Sequence, residues 1–273
     1  MPSYVVTGAS RGIGYGFIDY LSRDPSNTVI GLVRNKAATD ERLAQDGFLE
    51  KRPNITILQA DIIDGAALRA ASHETAKITG GSLDYLINNA AYLSTVTSGK
   101  FLDEFEDDDD QRRILDDDLS QNFATNVGGV IKTINAFLPL IKKSAIKKVI
   151  SISTGMADPD LVTQYGIWEA APYSMSKAAM NMAVAKYGAR YQDEGILFLA
   201  LSPGVVATSA AQGEFFPGSD TLVPKLLKYA PDFKGPVTPL ESVEMMLKVV
   251  ESASVANGDT GAFIGHLGNK QWL

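Results

Sequence analysis

Tyr173 and Lys177 stand four residues apart in Tyr173-Ser174-Met175-Ser176-Lys177, and on a helix that interval puts a phenol and an ammonium on one face, about one turn apart. A free tyrosine keeps its proton to a pKa near ~10. A fixed positive charge beside it favours the phenolate and brings the group toward the range in which it serves as a general acid or base. A lone pair of this kind is ordinary on a solvated helix face, so its neighbours decide its meaning. Thr7-Gly8-Ala9-Ser10-Arg11-Gly12-Ile13-Gly14 follows a short apolar run and opens a segment of helical period, the setting of a loop that cradles phosphates. Gly8 permits the tight turn, Gly12 lets the backbone approach a pyrophosphate, and Gly14 lets helix and strand pack closely, while the helix N-terminus offers unpaired N–H groups. Roughly 20 positions beyond the loop an acid would bind the ribose hydroxyls of NAD. Here the sequence runs Val33-Arg34-Asn35. Arg34 can meet an adenosine 2′-phosphate through two charge-assisted hydrogen bonds, and Arg11 can approach it from the other side, so the pattern predicts NADP(H) over NAD(H).

Other chemistries are narrowed by what the chain lacks. It has no cysteine, which removes thiolate nucleophiles, disulfides and thiolate zinc sites. Its two histidines, His73 and His266, have no partners at metal-ligand spacing, so no metal is expected. The net charge of −7 argues against a nucleic-acid partner. That charge is local: ten acids and two arginines between positions 103 and 118 carry −8, leaving the rest near +1. Such a run suits a solvated loop leading into a helix N-terminus. No apolar run is long enough to span a membrane and no basic leader precedes the first strand, so a cytoplasmic protein without a membrane partner is expected.

The elements that position these residues alternate between short β-branched runs and longer helical periods, the signature of an α/β domain with a parallel sheet. Strands are predicted at 4–7, 28–33, 55–59, 83–87, 148–152, 197–201 and 262–264. Helices are predicted at 14–23, 39–45, 66–79, 111–142, 173–192 and 239–251. The assembly this gives is one Rossmann-type, doubly wound, seven-stranded sheet with helices on both faces, spanning 1–273 as a single domain. Two segments break the alternation, 94–110 and 207–237. The second interleaves prolines and glycines with Phe215, Phe216 and other apolar residues, which reads as an irregular lid over a pocket.

With these motifs in place the chain resembles the short-chain dehydrogenase/reductase family across nearly its whole length. Asn88-Asn89-Ala90-Ala91 is similar to the family's Asn-Asn-Ala-Gly, with Ala91 in the last place. Pro203-Gly204-Val205-Val206-Ala207-Thr208 is similar to its Pro-Gly-x-x-x-Thr. The resemblance implies that Gly8, Ser10, Arg11, Gly12, Ile13, Gly14, Arg34 and Asn35 bind the cofactor. It extends that role to Asp61 and Ile62 at the adenine, to Asn89, Ala90 and Ala91, and to Pro203, Gly204, Val206 and Thr208 near the nicotinamide. It implies a catalytic set of Asn126, Ser153, Tyr173 and Lys177. In that set Tyr173 gives a proton to a carbonyl oxygen, Ser153 hydrogen-bonds that oxygen, Lys177 binds the nicotinamide ribose, and Asn126 anchors a relay water. Ser151 and Thr154 flank Ser153 as alternatives. The interval from Ser153 to Tyr173 is longer than is usual in the family because residues 156–171 intervene. Gln164, Tyr165, Ile167 and Trp168 from that insert are expected on the substrate side, with Phe215 and Phe216.

Within the family the stretch 4–20 and Asn126-Val127-Gly128-Gly129 resemble fungal ketoreductases related to norsolorinic acid reductase and the sniffer-like carbonyl reductases. The implied activity is reduction of a ketone or aldehyde, on a bulky or aromatic substrate, by a homodimer or homotetramer. The alternative is an NADP-sensing protein that kept the fold and lost catalysis. Such a protein would be expected to lack Tyr173 or Lys177. Nucleotide-sugar epimerases are a more distant rival, with different glycine spacing and longer chains.

Overall fold

The computed structural model describes residues 1–106, 108–208 and 219–273. In chain order these form β1 (Ser3–Thr7), α1 (Gly12–Ser22), β2 (Thr28–Val33), α2 (Lys36–Gln45), α3 (Phe48–Lys51), β3 (Ile55–Gln59), α4 (Gly65–Thr79) and β4 (Tyr85–Asn88). They continue with α5 (Asp109–Phe123), α6 (Val130–Ile141), β5 (Lys148–Ile152), α7 (Pro159–Tyr165), α8 (Ala171–Tyr191), β6 (Leu197–Ser202), α9 (Ser219–Tyr229), α10 (Pro239–Ser252) and β7 (Phe263–Gly265). All seven strands pair in parallel in the order β3-β2-β1-β4-β5-β6-β7. The winding direction reverses between β1 and β4, which opens a crevice at the carboxyl ends of those two strands. This is a single Rossmann-type α/β domain.

Strands buried on both faces need helices on both. On one face Phe17, Ile18 and Leu21 of α1 and Val243, Met246 and Val250 of α10 pack against Val6, Val29 and Leu199. On the other, Leu68 of α4, Ile134 and Phe137 of α6, and Met180 and Val184 of α8 pack against Val5, Leu86 and Phe198. Each such fully buried large side chain contributes about 1.5–3 kcal/mol. A third, smaller cluster of Leu161, Ile167, Leu222 and Trp272 lies beside the sheet.

The structure corrects the sequence reading in three places. The helix predicted over 111–142 is interrupted by a π turn at Ala124–Gly129. Gly129 there lies so close to Ile62 that a Cβ would come within 2.7 Å of its Cδ1. The intervening segment 156–171 contains α7, whose signals were legible: Asp158 caps it, Pro159 follows, and Gly166 ends it at φ +65°. The stretch 207–237 is not irregular throughout, since α9 crosses it despite Pro224, and buried Leu222 anchors that helix in the third cluster. Phe215 and Phe216 lie outside the described residues. The acidic run matches its solvated, helix-starting reading only around residues 108–110: Asp108 caps α5 by accepting from the Gln111 N–H at 2.8 Å, and Asp109 and Asp110 occupy its first turn, where the helix dipole favours them. Asp118, by contrast, is buried and accepts from the Thr97 hydroxyl at 2.6 Å.

Candidate active site

Helix α8 delivers the phenol and the ammonium to the carboxyl end of β5. Ala170, at φ +50°, turns the chain into the helix, and Pro172 occupies its first turn. Lys177 is 2% exposed, and its Nζ donates to the carbonyl of Ile152, the last residue of β5, at 2.7 Å. The next residue is Ser153, whose Oγ donates to Oδ1 of Asn181 at 2.7 Å. Asn181 is one turn beyond Lys177, so α8 grips the end of β5 at two successive turns. The neighbouring hydroxyls are engaged elsewhere: Ser151 accepts from the Asn88 amide at 3.2 Å, and Thr154 accepts from the Met156 N–H at 3.3 Å.

Nζ of Lys177 lies 5.8 Å from the centre of the Tyr173 ring. Burial pushes the Tyr173 phenol up to about 12 and the Lys177 ammonium down to about 8. The lowering expected of Tyr173 is thus outweighed, because withdrawal from water disfavours the charged form of each partner more than their proximity favours it. The phenol keeps its proton, the form a proton donor requires.

Asn126 sits fully buried in the π turn. Its Oδ1 accepts from the Tyr92 N–H at 2.8 Å. Its amide nitrogen faces the Tyr92 carbonyl at 2.9 Å, Ser176 Oγ at 2.9 Å and Asn122 Oδ1 at 3.2 Å, three acceptors sharing two N–H groups. Ser176 Oγ in turn donates to the Tyr173 carbonyl at 2.7 Å. The Asn126 side chain therefore clamps the loop after β4 to the first turn of α8. Ser176 and Asn181 escaped the sequence reading; their signal was spacing alone, three and eight residues after Tyr173.

At the switch point the glycine loop has the form a dinucleotide needs. Gly8 and Gly12 adopt φ of +67° and +56°, and a Cβ on Gly8 would come 2.8 Å from the Ala90 Cα. Arg11 precedes α1 without a side-chain cap, and the first turn holds no acid, so the first N–H groups of the helix have no capping side chain among the described residues and suit an anion. Across from them, a Cβ on Gly12 would sit 3.3 Å from Thr208 Cγ2, which brings the end of the Pro203–Thr208 stretch to the same loop. Asn89 fixes the loop by donating to the carbonyls of Thr7 at 3.0 Å and Gly8 at 3.3 Å. Asp61 accepts from the Ile63 N–H through one oxygen at 3.1 Å. Pro203 is held by Ser242, whose hydroxyl donates to its carbonyl at 2.8 Å. Gly204, at φ +78°, lies against the His266 ring, and Val206 forms a bridge with Val237. Ser10 is held through its carbonyl by Arg42 at 3.2 Å, while Ala91 is exposed. Arg11 and Arg34 are exposed and form no ion pair among the described residues. Asn35 is different: its Oδ1 accepts from the Ala38 N–H at 3.1 Å and caps α2, so its side chain is already engaged. These residues fit a nicotinamide dinucleotide.

The segments absent from the regular alternation pack against one another. Trp168 meets Phe101 edge-on at 6.3 Å, and with Glu104 they line an open cavity of about 300 Å³. Glu169, whose side chain is 0% exposed, accepts from Lys225 of α9 at 2.7 Å and from Thr221 at 2.6 Å. Tyr165 packs edge-on against Tyr229 at 5.1 Å. Ile167 is buried in the third cluster, on which Tyr165 also packs, and Gln164 is exposed. Trp272 packs with them, stacked on Phe263 at 4.4 Å, with its indole N–H donating to Asp158 at 3.0 Å.

The family model described as short chain dehydrogenase matches residues 3–215. The chain is 46% identical to the short chain dehydrogenase virK of Hypocrea virens over 276 residues, covering 100% of both chains. It is similar to the NADPH-bound carbonyl reductase from chicken fatty liver, with 29% identity, a TM-score of 0.78 and 98% of each chain covered. It shares its fold with the carbonyl reductase Sniffer of D. melanogaster, at 20% identity, a TM-score of 0.76 and 98% coverage of each chain. The chain belongs to the short-chain dehydrogenase family and is an oxidoreductase working with a nicotinamide cofactor.

Proposed function

We propose that the protein is an NADPH-dependent carbonyl reductase acting on a ketone or aldehyde, with Tyr173 as general acid. The observation that carries this reading is the grip of α8 on the end of β5, which holds the buried Lys177 ammonium and the Ser153 hydroxyl at two successive turns, with the Tyr173 ring 5.8 Å from the ammonium. When bound, NADPH supplies a hydride to the carbonyl carbon. Tyr173 transfers its phenolic proton to the carbonyl oxygen, so the product is an alcohol. Ser153 donates a hydrogen bond to that oxygen and holds it toward Tyr173. The ammonium of Lys177 has two protons beyond the one on Ile152, available to ribose hydroxyls, and its charge stabilises the phenolate that Tyr173 becomes. Asn126 keeps the first turn of α8 in place through Ser176. The glycine loop with Thr208 holds the pyrophosphate, Asp61 the adenine, and Arg11 with Arg34 the 2′-phosphate. Trp168, Phe101 and Tyr165 suit a flat, aromatic or polycyclic ketone, with α9 as its cover.

A panel of ketones and alcohols followed by NADPH absorbance tests the activity. Tyr173→Phe is expected to bind NADPH normally and to lose at least about a hundredfold in turnover, since general acids contribute ~10²–10⁴-fold. Wild-type turnover in that variant would overturn the assignment.

A further inference from the structure

The hydroxyl of Ser153 has a single proton, and here it goes to Asn181 Oδ1 at 2.7 Å. The proposed reduction needs the same proton on the substrate oxygen. Both bonds cannot exist at once. Asn181 offers a way out, because the two ends of a side-chain amide are nearly identical in shape but opposite in hydrogen bonding. Turning the amide over would place its N–H against Ser153 Oγ, which would then accept from Asn181 and point its own proton outward. Neither side chain makes another hydrogen bond among the described residues, so the turn breaks nothing else. The partner that must turn is carried by the helix that bears Tyr173 and Lys177, one turn beyond the lysine.

We propose that Asn181 is a positioning residue that switches Ser153 between holding its proton inward and donating it to the substrate carbonyl. This rests on the carbonyl-reductase reading of the site. Asn181→Asp keeps the size of the side chain but leaves only acceptors, which locks the Ser153 proton inward. Asn181→Ala removes both donor and acceptor and lets the hydroxyl rotate.

The experiment measures kcat, KM and the NADPH dissociation constant for wild type, Asn181→Asp, Asn181→Ala, Ser153→Ala and the doubles with Ser153→Ala, on the aromatic ketone best reduced by the wild type. The expected order is unlike that of a packing role. The isosteric Asp variant loses about tenfold to a hundredfold in kcat, in the range of a lost oxyanion donor, while Ala loses less, and NADPH affinity stays within about twofold of wild type in both. In the Ser153→Ala background neither change lowers kcat further, because the group it controls is gone. An Ala variant slower than the Asp variant, or losses that add to Ser153→Ala, would overturn the switch. If the Asp variant fails to fold, the Ala variant and its double with Ser153→Ala decide alone: the switch is overturned by a kcat at or below that of Ser153→Ala, or by losses that add. Wild-type turnover in Ser153→Ala would instead sink the role given to Ser153 in the parent reading.

Discussion

At the scale of single residues the site is governed by burial more than by proximity. Lys177 carries its charge into an interior where one hydrogen bond meets it among the described residues, and burial depresses its pKa to about 8. Below that pH the folded protein bears the full penalty of a buried ammonium. As pH rises from about 8 toward the unfolded value near 10.5 the unfolded chain holds the extra proton, so stability rises across that window. Lys177→Met is therefore expected to abolish turnover yet raise the melting temperature of the cofactor-free protein at pH 7. After the lost hydrogen bond is allowed for, the gain is about 2 kcal/mol. Calorimetry at pH 7 and pH 10 checks this, the advantage shrinking at the higher pH; a variant that melts lower at pH 7 contradicts it. Cofactor choice is a residue-scale matter as well. Val33 ends β2 where an acid would bind ribose hydroxyls, and Arg34 follows it without an ion pair among the described residues. Val33→Asp with Arg34→Ala should shift kcat/KM toward NADH by adding repulsion and removing attraction. A wild type that favours NADH, or one indifferent to the double change, defeats the 2′-phosphate reading.

Among the elements, α7 and α9 have no place in the regular alternation and depend on contacts far along the chain. Trp272 joins them: it packs over Gly155 just beyond Ser153, stacks on Phe263 and bonds Asp158 at the start of α7. Trp272→Ala is expected to cost about 3–5 kcal/mol of stability, as for other buried Trp truncations. On the proposed reading, in which this wall faces the substrate, the ketone KM should rise more than the NADPH KM. Chemical denaturation and steady-state kinetics test the two halves. A variant with unchanged ketone KM would separate this wall from the substrate.

For the molecule as a whole, two large cores hold the sheet while the third cluster is small and joins α7 to α9. Local opening is easiest where few apolar side chains are buried. Amide exchange should therefore be faster in α7 and α9 than in β1, β4, β5 and β6, and a bound ketone or alcohol should slow it there. Equal protection with and without that ligand would mark the wall as permanently packed rather than a cover.

The glycine loop, the seven strands and the Tyr173–Lys177 pair were legible in the sequence because each is written in local spacing: a strand's period, a turn's need for glycine, a helix's four-residue step. The acids at 108–110 were legible for the same reason, their charge suiting the N-terminus of α5, whereas the buried bond of Asp118 to Thr97 was not. Contacts between distant segments were decided only in three dimensions. Nothing near Ser153 announces Asn181, which meets it because α8 packs across the end of β5. The π turn at Asn126 brings Gly129 against Ile62 from far along the chain, and α9 holds its helix through Leu222 and Glu169 against the breaking influence of Pro224. The pKa of Tyr173 departs furthest from the sequence expectation. Spacing records that a charge is near, whereas the exclusion of water that outweighs it is a property of the packed whole.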